Sequence, residues 1–583
     1  MNSMLNNPRI FLWILLIMAG WLNYEAWVRD YAPRDAAAMA QKPGTAAPDL
    51  GASIPNAGTA STAPATGASN TAPVPAPVPG TAPGTAAVPG AEVPAAATAG
   101  VGGVPVHVHT DVLDIDIDLK GGTIRRADMV KYPKVKGEAE RMRLMNTDPS
   151  TLYLLQTGLT GPDGGARPTH LTEYTSPQKE YTLAPGATEL RVPLTWTNGD
   201  GVTVTKTFIF KPGLYRIDLQ YDIDNMSGAA WSATPYAQIQ RHDEDVKRSF
   251  ITTNPENLSS RGPAYRDGSK YRKLKISSDS DRNFAIDVTK GSWIASIQHH
   301  FVSAVVPPDN TPYHFALKTD GVHDWVLSAL GPATSVAAGQ KATLTQKLFV
   351  GPKLQAQLDQ TGEELDRVAD YGWLTILSSP LFDVLKWVHG VFGNWGWTIV
   401  FVTFLLKLVF YPLSEASGRS MAKMKLLGPR MKQMQETYKD DREKLGRAMM
   451  ELYKKEKVNP VAGCVPMIVQ IPVFLAFYWV LLESVEMRQA PFMGWITDLS
   501  SKDPFYILPA IMAVAMFVQY RLQPQTAMDP VQQKVFMFMP LVMSVMFAFF
   551  PSGLVLYWVT NTILSIAQQW NINRRIEKER ARA

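Results

Sequence analysis

A chain of 583 residues is long enough for about four domains, so a single compact core is not expected. Lys and Arg number 57 against 52 Asp and Glu, a net charge of +5 that is too weak for a nucleic-acid binder, and no nucleic-acid substrate is expected. The single cysteine, Cys464, excludes an intramolecular disulfide framework and a Cys-rich metal site.

The mean hydropathy of −0.07 averages over unlike parts. Residues 10–24 carry no charge between Arg9 and Glu25. A signal peptide has a similar basic start and apolar run, but no small-x-small cleavage site follows closely, so an uncleaved transmembrane anchor over 1–28 is expected. Residues 36–104 are almost wholly Ala, Pro, Gly, Thr, Ser and Val, with Lys42, Asp49 and Glu92 the only charges. Such a segment has too little bulky apolar surface to offset its conformational entropy, which predicts a disordered tether over 29–104.

From about residue 105 the period becomes two. Asp114, Asp116 and Asp118 alternate with Leu113, Ile115 and Ile117, a polar face against an apolar one. Residues 189–223 read as a meander with turns at Asn198–Gly201 and Lys211–Gly213. Short strands of this kind recur to about Val350, predicting a large antiparallel β-sandwich over 105–352 whose many carboxylates sit on solvated faces.

Beyond residue 360 the chain reads as membrane protein. A connecting and interfacial amphipathic helix is expected within 353–390, with Trp387, Trp395 and Trp397 at headgroup level. Transmembrane helices are expected at 391–414, 464–485 and 504–521. The uncharged run 535–573 would extend about 58 Å as one helix, nearly twice a ~30 Å hydrocarbon core. Pro551-Ser552-Gly553 splits it into spans at 535–551 and 553–572, six in total with the anchor. Loop 415–463 holds twelve Lys and Arg against seven acids, and the tail 573–583 is basic, whereas loop 483–503 has two basic residues against four acids. The positive-inside rule therefore places both termini and 415–463 in the cytoplasm and the sandwich outside.

No P-loop, HExxH, GxSxG or paired-Cys motif is present. His107/His109 and His299/His300 lack the accompanying ligands of a metal centre, so no metal and no cofactor is expected. The sharp feature is Lys407, inside the apolar run 399–413. A lysine at mid-membrane depth costs ~3 kcal/mol, so it either faces protein, water or a partner, or snorkels to the nearby interface. Thr403 lies one turn away on its face, Gln470 interrupts another apolar run, and Trp558, Asn561, Thr562, Ser565 and Gln569 form a stripe at helical spacing. Helix–helix hydrogen bonding accounts for such stripes, as does a wet intramembrane cavity facing a cation. In 415–463, Met421, Met424, Leu427, Met431 and Met434 recur at three- and four-residue spacing, with an irregularity at Gly428-Pro429 and a second helix near 440–456. This predicts a cytoplasmic helical hairpin whose adaptable Met edge receives apolar partners or lies on lipid headgroups.

Several ordered stretches carry a resemblance: VFGNWGW (391–397), TFLLKLVFYPL (403–413), MAKMKLLGPRM (421–431), KVNPVAGCVPMIVQIPVF (457–474), MRQAPF (487–492), DPFYILP (503–509) and FPSGLVLYW (550–558). With these the chain resembles the YidC/Oxa/Alb family of membrane protein insertases, of the Gram-negative type with a large periplasmic domain. The resemblance spans nearly everything except the tether. It implies a periplasmic all-β supersandwich beside an α-helical membrane core, with five helices surrounding a hydrophilic groove. Lys407 stands where the family usually has Arg, keeping the charge without the bidentate fork, and Trp558 where Tyr is common. The implied function is insertion and folding of nascent membrane proteins in the bacterial inner membrane without covalent chemistry. Implied partners are nascent membrane proteins, the Sec translocon, membrane lipids, and ribosome or targeting factors. The other class compatible with Lys407 is a secondary transporter or channel for a small anion.

Overall fold

The computed structural model describes residues 102–582 apart from 162–164, 244–260, 322, 370, 439–440, 457–464 and 523–529. The expected anchor, almost all of the tether and Cys464 lie outside the described residues. The chain divides into two units: one ends at Asp370 and takes in Glu483–Glu486, and the other comprises Tyr371–Leu482 and Met487–Ala583.

Among its described residues the first unit carries an eleven-stranded and an eight-stranded sheet. The meander forms as Leu190–Thr197, Val202–Phe210 and Arg216–Asn225, paired antiparallel. Asn198 turns its first corner, its side-chain oxygen accepting from the Asp200 N–H at 2.8 Å and the Val202 N–H at 3.0 Å. The last strand, Gln340–Pro352, pairs with Arg216–Asn225. In the larger sheet Trp231–His242 lies between Tyr153–Thr160 and Asp324–Leu330. One pairing departs from the expected antiparallel pattern: Pro105–His109 runs parallel to Glu180–Thr182. About seventy residues separate the two, enough for the crossover that parallel strands need.

Alternation buries Val192, Leu194, Trp196, Val202, Val204 and Phe208 in one continuous core. The same inward row contains Lys206, which is fully buried. Its ammonium donates to the carbonyls of Gly121 (2.8 Å), Gly122 (3.1 Å) and Thr157 (2.9 Å), and the rings of Tyr174, Phe208 and Tyr221 surround it at 5.3–5.8 Å. Burial pushes its pKa well below the ordinary lysine value, while the three acceptors match all three N–H donors of the charged form.

The carboxylates are not all on solvated faces. Asp116, Asp118 and Asp128 are buried. Arg126 binds Asp116 at 2.7 Å, Asp128 at 2.7 Å and Asp114 at 3.0 Å, with Arg141 and Arg143 closing the lattice from the neighbouring strand. Guanidinium forks on adjacent strands cover the acids that alternation alone would expose. Burial alone would raise the Asp116 pKa, but hydrogen bonds from Arg126 and His107 and their charge pull it below 3.8.

The second unit is helical: α1 (Thr375–Phe392), α2 (Trp395–Val409), α3 (Tyr411–Thr437), α4 (Arg442–Lys455), α5 (Val465–Glu483), α6 (Ile507–Leu522), α7 (Pro530–Phe547) and α8 (Ser552–Arg582). α2 begins at Trp395 rather than 391. Gly393, at φ 62°, ends α1, and the Asn394 side chain caps α2 by accepting from the Trp397 N–H at 3.1 Å. α2 stops at Val409, short of 414, and α3 leaves at 63°. Pro412 in the first turn of α3 lacks the N–H needed to continue the preceding helix. Gly396 is obligatory in its place, because a Cβ would lie 2.0 Å from the Phe492 ring. α6 starts at Ile507, not 504, because Asp503 caps it: its carboxylate accepts from the Phe505 N–H at 3.1 Å and the Leu508 N–H at 2.7 Å. The expected break near Pro551 separates α7 from α8, though α7 starts earlier than 535 and ends earlier than 551. α8 carries helix through the basic tail to Arg582.

The expected irregularity at Gly428-Pro429 does not interrupt α3, which holds Pro429 within its length. No single helix among the described residues is long and apolar enough to cross a membrane alone; the bent pair α2–α3 reaches that measure together, by length and composition.

Candidate groove site

α8 packs along α2 and α6, and α5 meets it through ring contacts. The three helices α2, α5 and α8, with the start of α3, border a small, partly open cavity. Its lining includes Thr403, Lys407, Gln470, Tyr557 and Asn561, with Leu406, Phe410, Leu413 and Val473 as apolar walls. Ring size and spacing set the wall: Phe477 of α5 stacks on Tyr557 at 4.3 Å.

Polar contacts cross this space at two levels. The Lys407 ammonium donates to Ser565 Oγ at 2.8 Å, and Ser565 Oγ donates to the Asn561 carbonyl at 2.7 Å. Gln470 Nε2 donates to Asn561 Oδ1 at 2.5 Å, with Tyr557 lining the cavity one turn away. Thr403 borders the space, but its hydroxyl donates to its own helix, to the Ile399 carbonyl at 2.6 Å. One amine with three N–H donors therefore meets a single side-chain acceptor among the described residues.

The structure brings Lys407, Thr403, Gln470 and Asn561 to the cavity lining, with Ser565 beside it as the acceptor of Lys407, and leaves two expected members out. Thr562 is buried and does not border the cavity. Trp558 turns away, edge-on to Phe474 at 4.5 Å and against Phe547 at 4.9 Å. Gln569 lies two turns beyond Asn561 and donates to Asn573. Tyr557 takes the place given to Trp558. The signal was present: Tyr557, Asn561 and Ser565 recur every four residues and share one helix face.

The methionine edge of α3 is a seam, not a free surface. Leu427 and Met431 are buried with Leu452 of α4, and Met424, Met434, Met449 and Tyr453 pack around them. Met421 is half-buried, and Arg430 ties the pair together through Glu456 at 2.8 Å. Standing apart in water, the two helices would leave both apolar stripes bare, so the stripes cover each other. Leu426 and Met450 remain exposed. On α1, Ile376, Val384, Trp387 and Val391 are exposed while Leu381, Phe382, Leu385 and Val388 are buried. His107 pairs with Asp116 at 2.6 Å, and His299 stacks on His300. Among the described residues no group of three or more His, Cys, Asp or Glu side chains is placed to hold a metal.

Comparison with known proteins agrees with both units. Residues 105–384 match the family described as YidC periplasmic domain, and residues 387–579 match the 60Kd inner membrane protein family. The membrane protein insertase YidC of Thioalkalivibrio sulfidiphilus is 42% identical over 98% of this chain and 99% of its own length. That of Methylococcus capsulatus is 46% identical over 82% of this chain and 87% of its own. That of Nitrosococcus oceani is 39% identical over 99% and 100%. The chain belongs to the YidC family: it is an inner-membrane protein with a periplasmic domain, an insertase of membrane proteins rather than an enzyme.

Proposed function

We propose that the cavity between α2, α5 and α8 is the groove through which this chain inserts nascent membrane proteins, with Lys407, Thr403, Gln470 and Asn561 among its polar lining, Ser565 holding Lys407 from beside it, and Tyr557 in the place first given to Trp558. The observation that carries this reading is the Lys407 ammonium, held at the cavity wall by one hydroxyl with donors to spare. A cation in apolar surroundings draws a substrate's polar or acidic tail part-way into the bilayer. The hydrophobic barrier left for that tail is then shorter, and burial of the substrate's apolar span in lipid drives the step.

In this reading the chain spans the membrane six times, through residues 1–28 and through α2, α5, α6, α7 and α8, with both termini cytoplasmic. The sandwich of 105–352 is periplasmic, and 353–390 joins it to the core. α1 lies in the interface with its exposed Trp387 and Val391 toward lipid. The α3–α4 hairpin receives incoming chains on the cytoplasmic side through Leu426 and Met450 and its basic faces, since Leu427 and Met431 are occupied. Partners are nascent chains, lipids, the Sec translocon, and ribosome or targeting factors.

The test is reconstitution of this chain alone in proteoliposomes, with and without residues 416–456, offered a single-span substrate. Insertion by the intact chain and its loss in the shortened, still membrane-bound one support the reading. Flux of a small anion without insertion points to a transporter instead.

A further inference from the structure

The two polar levels of the cavity differ in charge. Lys407 and Ser565 form a cationic pair near the end where α2 gives way to α3, and Gln470 and Asn561 form a neutral amide pair. Asn561 and Ser565 are four residues apart on α8, so the pairs stand about 6 Å apart along the axis. The amide pair stands next to Tyr557, another turn along the same face of α8.

The amides are not used up by each other. Gln470 Nε2 donates to Asn561 Oδ1, which leaves the Asn561 amide nitrogen with no hydrogen-bond partner among the described residues. A group of this kind, beside apolar walls, offers its donor to a neutral acceptor at modest cost, whereas a carboxylate there accepts the same N–H but must leave water without a counter-charge at its side. A carboxylate moved from the Lys407 level to the amide level gives up its counter-charge, whereas an Asn, Gln or peptide carbonyl gains a partner.

We propose that Gln470 and Asn561 are specificity-determining residues that select uncharged polar tails, such as those rich in Asn and Gln, while Lys407 selects acidic ones. This rests on the groove reading above and adds a division of labour within it.

The experiment uses the full chain in proteoliposomes and three single-span substrates whose translocated tails differ at the same positions, carrying Asp/Glu, Asn/Gln or Leu. Gln470→Leu and Asn561→Leu are each expected to lower insertion of the Asn/Gln tail about fivefold relative to the Asp/Glu and Leu tails, the loss of one hydrogen bond. Lys407→Ala is expected to do the reverse, lowering the Asp/Glu tail relative to the other two. Because a leucine there can disturb packing, the exchanged pair Gln470→Asn with Asn561→Gln serves as the second variant; it keeps both amides and should restore the Asn/Gln tail. Equal loss for all three tails, no loss for any, or no rescue by the exchanged pair overturns the proposal. If Lys407→Ala also leaves every tail unaffected, the groove reading itself fails.

Discussion

Lys206 in the β unit and Lys407 in the helical unit both leave bulk water, and their ammonium groups end in different circumstances. Lys206 meets three carbonyl oxygens and three aromatic rings, so each donor is matched and the side chain has nowhere to move. Lys407 meets one serine hydroxyl on the wall of a cavity. A buried charge that is fully satisfied ties two sheets together and does little else. One that is under-satisfied and bordered by empty volume has interaction energy left for a visitor. Saturation, not burial, separates the structural lysine from the candidate functional one.

Removing the saturated lysine should produce the largest loss of stability. Lys206→Ala leaves a cavity and three unpaired carbonyls in the core, at a cost of ~3–5 kcal/mol to the β unit. Lys206→Met, which keeps most of the volume, should cost ~1–3 kcal/mol. Thermal unfolding of the purified chain, followed by proteolysis of its β unit, reads both. Insertion below the new melting temperature should persist. An unchanged melting temperature for Lys206→Ala would mean that the carbonyl cradle contributes nothing.

The acidic lattice offers a smaller effect with a pH signature. Asp116 has a folded pKa below its unfolded value, so its contribution is present above pH ~3.8 and is lost as pH falls through the folded value. Asp116→Asn should therefore cost ~1–3 kcal/mol at neutral pH and flatten the acid limb of a stability-against-pH curve. A variant with the same acid limb as the parent would show that Arg126 and His107 do not hold this carboxylate.

Much of the β unit was legible because inward and outward residues alternate. Val192, Leu194 and Trp196 declared their strand, and Asn198 declared its corner. What alternation could not convey was satisfaction. Lys206 reads as a break in an apolar row, and only the carbonyls of strands distant in sequence explain it. Asp116 and Asp128 read as solvated until Arg126 and Arg143 are placed against them.

The cavity was legible in Lys407, Gln470, Asn561 and Ser565, because polar groups in apolar runs are few and conspicuous. Tyr557 was missed because it sits beside the larger aromatic Trp558, and a shift of one residue rotates a helix position by 100°. The methionine edge of α3 was visible as a stripe, but a stripe does not name its partner, and α4 claimed it.

The most direct measurement is insertion of a substrate series differing only in the charge of the translocated tail, compared across Lys407→Ala, Lys407→Leu, Lys407→Arg and Lys407→Glu at equal expression. If the under-satisfied ammonium recruits acidic tails, Ala and Leu lower their insertion by about tenfold, the worth of one charge-assisted hydrogen bond. Arg restores it, and Glu falls below Ala because repulsion replaces lost attraction. Neutral tails change least. Equal insertion of every tail by all four variants would contradict this, leaving Lys407 a snorkelling residue with no part in recruiting substrate.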